Sequence, residues 1–197
     1  MIYGVNDGDT MKKIDNFNDF KNSLLYIFEE LNYIDKLYLL YVAFDQQPEL
    51  FPADLLDTNR QCCVNSYILS VYKLFDCNSS LNIFSIIEYM NNDLTISDCD
   101  FLSISDWYNK EKKYFDKQHS EYYNSLEKIK TFRNKVIAHS DIELIKSQKF
   151  EKIPFIDYWK LINLAKDIIA ITIKKYDIEL DIDSLRNHKT YIKELNI

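Results

Sequence analysis

Glycine is almost absent from this chain. Gly4 and Gly8 are its two glycines, and none occurs from Asp9 to Ile197. Glycine enters left-handed backbone space freely, and P-loops, dinucleotide-binding turns and nucleophile elbows all need it where the backbone bends sharply or approaches a ligand. Asn-Gly hairpin turns are missing for the same reason. The sequence therefore excludes these classes of site and predicts an all-α fold.

Apolar residues recur at steps of three and four along most of the chain, which is the spacing of an amphipathic helix. In the first half, this spacing predicts one long helix or two nearly collinear ones, a break with Pro48 and Pro52, two further helices, and then a loop. The expected bounds are 17–45 for the long helix, 46–52 for the break, 60–75 and 81–90 for the helices, and 91–105 for the loop. Ser and Asn residues within 76–80 are the expected caps of the third helix.

The second half of the chain predicts two long helices. Asp106 is the expected cap of the first, whose apolar stripe places Arg133 at its centre. The stripe consists of Tyr108, Phe115, His119, Tyr122, Leu126, Ile129, Arg133 and Ile137. The second begins near Pro154 and runs to about Tyr176, and it is apolar on nearly every side between Leu161 and Ile173. Such a helix is expected at the centre of a bundle or in a dimer contact.

The whole pattern predicts a bundle of about five to six helices. We expect residues 1–15 to be a flexible N-terminus, residues 16–176 a single helical domain, and residues 177–197 a tail with room for one short helix. The four cysteines have no zinc-type spacing, so free thiols and no metal or other cofactor are expected. With no signal peptide and no apolar run of about 18 residues, the expected location is the cytoplasm, without membrane contact.

Arg133 is the residue that most needs an explanation, because a guanidinium buried in an apolar stripe costs several kcal/mol unless it is paired. His139 follows six residues later, about 120° away around a regular helix. The two side chains meet only if the helix deforms near Ala138 or two copies face each other across a dimer. Arg with His suits RNA cleavage by the 2′-hydroxyl, in which imidazole moves the proton and the guanidinium holds the phosphate.

Two structural alternatives stand beside this interpretation. Arg133 can belong to an ion-pair network with Glu127 or Asp141, and a neutral His139 can be hydrogen-bonded in the core. The basic residues near the motif can likewise be an ordinary solvated helix face. The spacing of Arg and His by itself is a weak signal, since such pairs arise by chance.

The residues around the pair are more specific. Asn134 follows the arginine, Ala138 precedes the histidine, and Ser140 and Asp141 follow it. This segment, late in an all-α chain, resembles the HEPN superfamily and, within it, the AbiU-type abortive-infection family. Two other segments are similar to the same family: 71–76 followed by 80–83, and 38–51. The resemblance covers residues 30–175.

The resemblance implies a metal-independent endoribonuclease that acts as a homodimer, as a toxin or in abortive infection against phage. It implies that Arg133 binds phosphate, that His139 transfers the proton, and that Asn134 orients the substrate or the opposed motif. The remaining expected substrate-binding residues are Lys130, Lys135, Ser140 and Asp141. Some HEPN toxins carry a tyrosine two residues after the histidine, modified by a partner nucleotidyltransferase antitoxin; here that position is Asp141.

Charge is distributed unevenly along the chain. Residues 110–135 hold eight basic and four acidic side chains, a net charge of +4. Since the whole chain carries −7, the remaining residues carry −11. A basic strip on an acidic body permits RNA to dock near the motif without broad nonspecific binding. The competing hypothesis is a HEPN-fold module that binds nucleic acid or a protein without cutting.

Overall fold

The protein, as a computed structural model, is described for residues 14–76, 79, 81–92, 121–134 and 155–180. Over these residues it is helical and contains no β-strand. The elements in chain order are α1 (Phe17–Gln46), a 3₁₀ turn (Pro48–Leu50), α2 (Ala53–Phe75), α3 (Ile83–Asn92), α4 (Glu121–Phe132) and α5 (Phe155–Lys175). The predicted all-α class is confirmed.

Helices α1 and α2 form an antiparallel hairpin joined by the 3₁₀ turn. α1 is a single helix of 30 residues, as one of the two predicted forms, and the break falls where it was expected. α2 begins at Ala53, earlier than the predicted Arg60. The predicted start was too late because the first turns of α2 leave residues such as Leu55 and Asp57 exposed and carry no apolar stripe. Arg60 ties the hairpin together by donating from Nη2 to the Phe44 carbonyl at 2.8 Å.

Side-chain caps fix where α1 and α3 begin. Asn16 accepts from the Asp19 backbone N–H at 2.9 Å and thereby satisfies one of the free amides at the start of α1. At α3 the cap is Asn82, whose Oδ1 accepts from the Ser85 N–H at 3.0 Å while the Ser85 hydroxyl donates to the Asn82 carbonyl. The expected capping segment 76–80 is therefore two residues too early, although Ser79 supports the cap by accepting from Leu81 N–H.

The core is built around α5, which packs against α1, α2, α3 and α4. Of the two positions expected for this apolar helix, the centre of the bundle is the observed one. Its buried face consists of Tyr158, Leu161, Ile162, Ala165, Lys166, Ile168, Ile169, Thr172 and Ile173. Apolar burial of this kind contributes about 25 cal/mol per Å² removed from water, so α5 supplies a large share of the folding free energy.

Aromatic side chains close one end of the bundle. Phe20 of α1 stacks on Tyr89 of α3 at 4.2 Å between ring centroids and lies 4.9 Å from Tyr176, which directly follows α5. Beyond Tyr176 the helix stops, because Asp177 has a φ of 47° and Ile178 donates its N–H back to the Ile173 carbonyl at 3.1 Å. This left-handed stop brings Ile178 into the core.

Several expectations fall on residues outside the described ranges. These are the loop at 93–105, the helix before residue 121, the segment 135–154, and the two termini at 1–13 and 181–197. The predicted stripe of α4 is confirmed at Ile129, which is fully buried, and at Leu126, which packs against the core. Among the described helices, none combines the length and the apolar character needed to cross a membrane.

Candidate functional site

Three of the predicted site residues lie within the described part of the chain: Lys130, Arg133 and Asn134. Lys130 is in the last turn of α4, and Arg133 and Asn134 follow directly after it. Lys135, His139, Ser140 and Asp141 lie outside the described residues, and so does Ala138. The arrangement of Arg133 and Asn134 can therefore be tested against the sequence-based interpretation, whereas the pairing of Arg133 with His139 stays a prediction.

Arg133 is half-buried and lies over an aromatic ring of α2. Its guanidinium carbon is 4.2 Å from the centroid of the Tyr72 ring. α4 reaches α2 because the buried Ile129 fixes it against the core one turn earlier. A guanidinium over an aromatic face is attracted by the ring quadrupole, worth about 0.5–2 kcal/mol according to its exposure. The Tyr72 ring therefore provides one of the favourable contacts that an arginine in this stripe requires.

Asn134 provides hydrogen bonds to the same guanidinium. Its Oδ1 accepts from Nε of Arg133 at 2.9 Å and from Nη2 at 2.6 Å. These bonds occupy two of the five guanidinium N–H donors and fix the plane of the group. Asn134 thus contacts the arginine directly, and its expected role in orienting the substrate or the opposed motif stays a prediction.

The helix changes its winding at these two residues. After the α-helical residues of α4, positions 133 and 134 adopt a wider π-type turn. Neighbouring side chains of a regular α-helix do not face each other, so a contact between Arg133 and Asn134 is not expected from α-helical geometry. Turns of this type are rare and occur frequently at functional sites. Deformation near Ala138, one of the two arrangements expected to bring Arg133 and His139 together, lies outside the described residues.

The ion-pair alternative for Arg133 can be tested at Glu127. Its Oε1 lies 3.6 Å from Nζ of Lys130, three residues along the same helix, and both side chains are largely exposed. Within the described ranges, no carboxylate lies within ion-pair distance of Arg133. Asp141, the other proposed partner, lies outside those ranges. The described surroundings of Arg133 are therefore an aromatic ring and a neutral amide, neither of which carries a negative charge.

A second charged pair lies inside the bundle and was missed by the sequence analysis. Lys166 of α5 donates from Nζ to both carboxylate oxygens of Asp35 in α1, at 2.9 and 2.7 Å. Lys166 is 7% exposed and Asp35 2%. Burial lowers the pKa of Lys166, and the charge and hydrogen bonds of Asp35 oppose that lowering. Each of the two helices carries several charges of both signs, so nothing in the sequence singles out these two residues as a pair.

Tyr67 of α2 lies beside this pair. Its ring packs edge-on against the Tyr158 ring at 5.9 Å, and the residue is 2% exposed. Burial, with a smaller contribution from the negative charge of Asp35, raises the pKa of the Tyr67 hydroxyl well above its usual 10.0. The phenol therefore stays protonated in the folded state, and the group is a structural part of the core.

The cysteines and the possible metal ligands offer no further site in the described segments. Cys62 and Cys63 are free thiols, as expected, while Cys77 and Cys99 lie outside the described ranges. No group of three or more His, Cys, Asp or Glu side chains in the described segments is arranged to hold a metal ion. Arg133 with Tyr72 and Asn134 is thus the strongest candidate site. Tyr72 was not predicted as a site residue, although it lies in the segment 71–76 that resembles the family.

Comparison with protein-family models matches residues 20–173 to HEPN_AbiU2, described as AbiU2. The matched span covers most of the chain and includes Tyr72, Arg133 and the predicted His139. The comparisons with curated proteins and with solved structures give no match. Because the family model spans well over half of the sequence, the chain belongs to the AbiU2 family and is a HEPN module related to abortive infection.

Proposed function

We propose that the chain is a metal-independent endoribonuclease of HEPN type that acts in the cytoplasm as a toxin or abortive-infection effector against phage. The observation that carries the proposal is the state of Arg133. Its guanidinium lies on Tyr72, is oriented by Asn134, and has no carboxylate partner among the described residues. A guanidinium held by an aromatic ring and a neutral amide is suited to bind a phosphate group bidentately.

The reaction is cleavage by the substrate's own 2′-hydroxyl. His139 takes the proton of that hydroxyl, its oxygen attacks the adjacent phosphorus, and the bond from phosphorus to the 5′-oxygen breaks. A proton returns to the leaving oxygen, so the products are a 2′,3′-cyclic phosphate and a 5′-hydroxyl. Arg133 stabilises the negative charge that builds on the phosphate in the transition state. Each proton transfer by a positioned acid or base contributes about 10²- to 10⁴-fold.

The remaining motif residues serve substrate binding in this proposal. Lys130 is exposed, and its contact with Glu127 is a surface ion pair of small value, so its charge remains available to an RNA backbone. Lys135, Ser140 and Asp141 are proposed to contact RNA beside His139. Two copies are proposed to act as a homodimer, and a nucleotidyltransferase-type antitoxin is the proposed partner that controls the effector.

The test is cleavage of end-labelled RNA in the presence of a chelator by the wild type and by His139→Ala. We expect the wild type to cut and leave cyclic phosphate ends, and the variant to lose about 10²-fold or more of the rate. His188→Ala is the matched control, since it removes a histidine outside the motif and should leave the rate unchanged. Cleavage that survives in His139→Ala, or that stops with chelator, contradicts the mechanism.

A second pair of variants tests the phosphate-binding role. Arg133→Lys keeps the positive charge but loses the planar fork, so we expect reduced cleavage. Arg60→Lys makes the same exchange at the α1–α2 hairpin, where the arginine contacts the Phe44 carbonyl, and should cut like the wild type. If the wild type and the folded variants bind RNA but none of them cuts it, the non-catalytic binding module is favoured instead.

A further inference from the structure

The outer face of α1 carries apolar side chains that the bundle does not cover. Leu25, Tyr33 and Leu40 are 40%, 46% and 49% exposed. Single exposed apolar residues are common on protein surfaces. These three lie within about 80° of each other around the helix axis, together with Glu29 and Lys36, at 100° per residue. They form one continuous strip, which we call the α1 outer face.

The α1 outer face is symmetric about its own midpoint. The midpoint lies between Asn32 and Tyr33, and Leu25 and Leu40 are equally distant from it on either side. Glu29 and Lys36 are also equally distant from it, with opposite charges. A two-fold axis through this midpoint therefore brings each leucine opposite the other leucine of a second, antiparallel copy, and each charge opposite its complement. Such self-complementarity is what a two-fold interface between identical chains requires.

The two charges on this face cannot satisfy each other within one helix. Glu29 and Lys36 are seven residues apart, which is about 10.5 Å along the axis. Within the part of the chain that the structure describes, neither side chain has an ion-pair partner, and both are exposed. An antiparallel second copy would pair both at once, twice per dimer.

We propose that the α1 outer face is a self-association surface that binds a second copy of this chain in antiparallel orientation, with Glu29 opposite the partner's Lys36 and Leu25 opposite the partner's Leu40. The face from residue 22 to residue 43 is about 32 Å long. One helix face of this length buries less than the ~800 Å² per partner of a standard stable interface, so the association is weak and reversible.

This proposal does not rest on the ribonuclease function. Arg133 is held by Tyr72 of α2 and by Asn134, and α4 packs against α2 and α5. Two copies joined through α1 therefore keep both Arg133 side chains outside the contact. Pairing of two motifs across a separate axis would add to this association and not replace it.

The test reverses one charge at a time. Glu29→Lys places two lysines opposite each other at both positions, and Lys36→Glu places two glutamates there. Each variant should weaken the self-association step at least about tenfold, measured by sedimentation velocity from micromolar to sub-millimolar concentration. An equimolar mixture of the two variants restores opposite charges at both positions. The mixture should therefore associate as the wild type does, which only this register and this symmetry predict.

Matched controls reverse the same charges elsewhere. Glu49→Lys at the hairpin turn and Lys174→Glu near the end of α5 alter exposed charges by equal amounts and should not change the association. Circular dichroism of every variant confirms folding. A wild type that remains a monomer throughout, an association step equal in both single variants and the wild type, or a mixture that stays as weak as its components would overturn the proposal.

Discussion

Lys166 donates two hydrogen bonds to the carboxylate of Asp35, although the residues are 131 positions apart in the chain. The contact joins the first helix to the last described one, and these two are the buried charged residues among the described ones. A buried ion pair is costly to desolvate and is stabilising only while both partners are present. The stability of the bundle should therefore respond very differently to the loss of one partner and to the loss of both.

Replacing one partner should be severe. Lys166→Met removes the ammonium that neutralises the buried Asp35 carboxylate, so we expect a loss of about 3–5 kcal/mol in the free energy of unfolding. Asp35→Leu combined with Lys166→Met should recover most of this loss, because two apolar side chains replace the pair. Urea unfolding of the single and double variants measures the effect. Lys174→Met, at an exposed lysine of the same helix, is the control and should change stability by under about 0.5 kcal/mol.

Tyr67 predicts how stability changes in alkali. Its pKa is raised in the folded state, so the folded protein keeps a proton that the unfolded chain loses above pH 10. The stability linked to this group is complete below pH 10 and is lost as the pH rises toward the raised value, by about 1.4 kcal/mol per pH unit.

The variant Tyr67→Phe isolates that contribution. As the pH rises above 10, the variant should gain on the wild type by about 1.4 kcal/mol per unit in the free energy of unfolding. Denaturant unfolding at pH 8, 10 and 11 compares the two proteins. A constant difference across this range would show that the Tyr67 phenol ionises as readily in the folded state as in the unfolded chain.

The ring of Tyr72 should matter more than its hydroxyl. In Tyr72→Phe the aromatic face under Arg133 remains, so RNA affinity and cleavage should stay near the wild-type values. In Tyr72→Leu the guanidinium loses that face, and we expect RNA affinity and the cleavage rate to fall about 2- to 30-fold, equivalent to about 0.5–2 kcal/mol.

A double-mutant cycle shows whether Tyr72 acts through Arg133. In an Arg133→Ala background, Tyr72→Leu should have little additional effect on RNA binding. Equal losses with and without Arg133 would mean that Tyr72 contacts RNA itself or supports the fold. The ratio of kcat to KM effects separates the two roles further, because positioning of a transition-state contact acts on kcat.

The left-handed stop after α5 is formed by a residue other than glycine. Asp177 has a φ of 47°, a region that glycine enters without steric cost. Asp177→Gly should raise the free energy of unfolding by about 0.5–1 kcal/mol, whereas Asp177→Val should lower it, since a β-branched residue is disfavoured there. Thermal unfolding of both variants gives the comparison. Equal melting temperatures would mean that this turn does not limit stability.

Helix positions followed from the sequence wherever an apolar stripe marked them. α1, α3 and α5 lie within a few residues of their predicted bounds because Phe20, Leu24 and Ile27, for example, repeat at helical spacing and are fully buried. The start of α2 did not follow, since its first turns are exposed and depend on the hairpin. Asn82 was missed as a cap because Ser79 lies in an equally suitable sequence context.

The candidate site was only partly accessible to sequence reasoning. Helical periodicity showed that Arg133 needed a partner, and the structure confirms the demand while naming Tyr72 and Asn134 as the groups that meet it. Neither was predictable, since one contact depends on how α4 packs on α2 and the other coincides with a π-type turn. The pairing of Asp35 with Lys166 was hidden for the same reason: tertiary packing, and not spacing along the chain, brings them together.

Because α5 packs against all four other described helices and follows them in the chain, the core is completed only late in synthesis. During synthesis α1, α2 and α3 emerge first, and side chains that contact α5, such as Met90 against Thr172, meet that helix only after residues from 155 onward emerge. Some 60 residues separate α3 from α5, and synthesis proceeds at about 5–20 residues per second. The nascent chain therefore lacks α5 for several seconds, during which apolar side chains of the core are exposed to water. A ribosome stalled in that interval yields an aggregation-prone fragment, so the fold completes itself late and all at once.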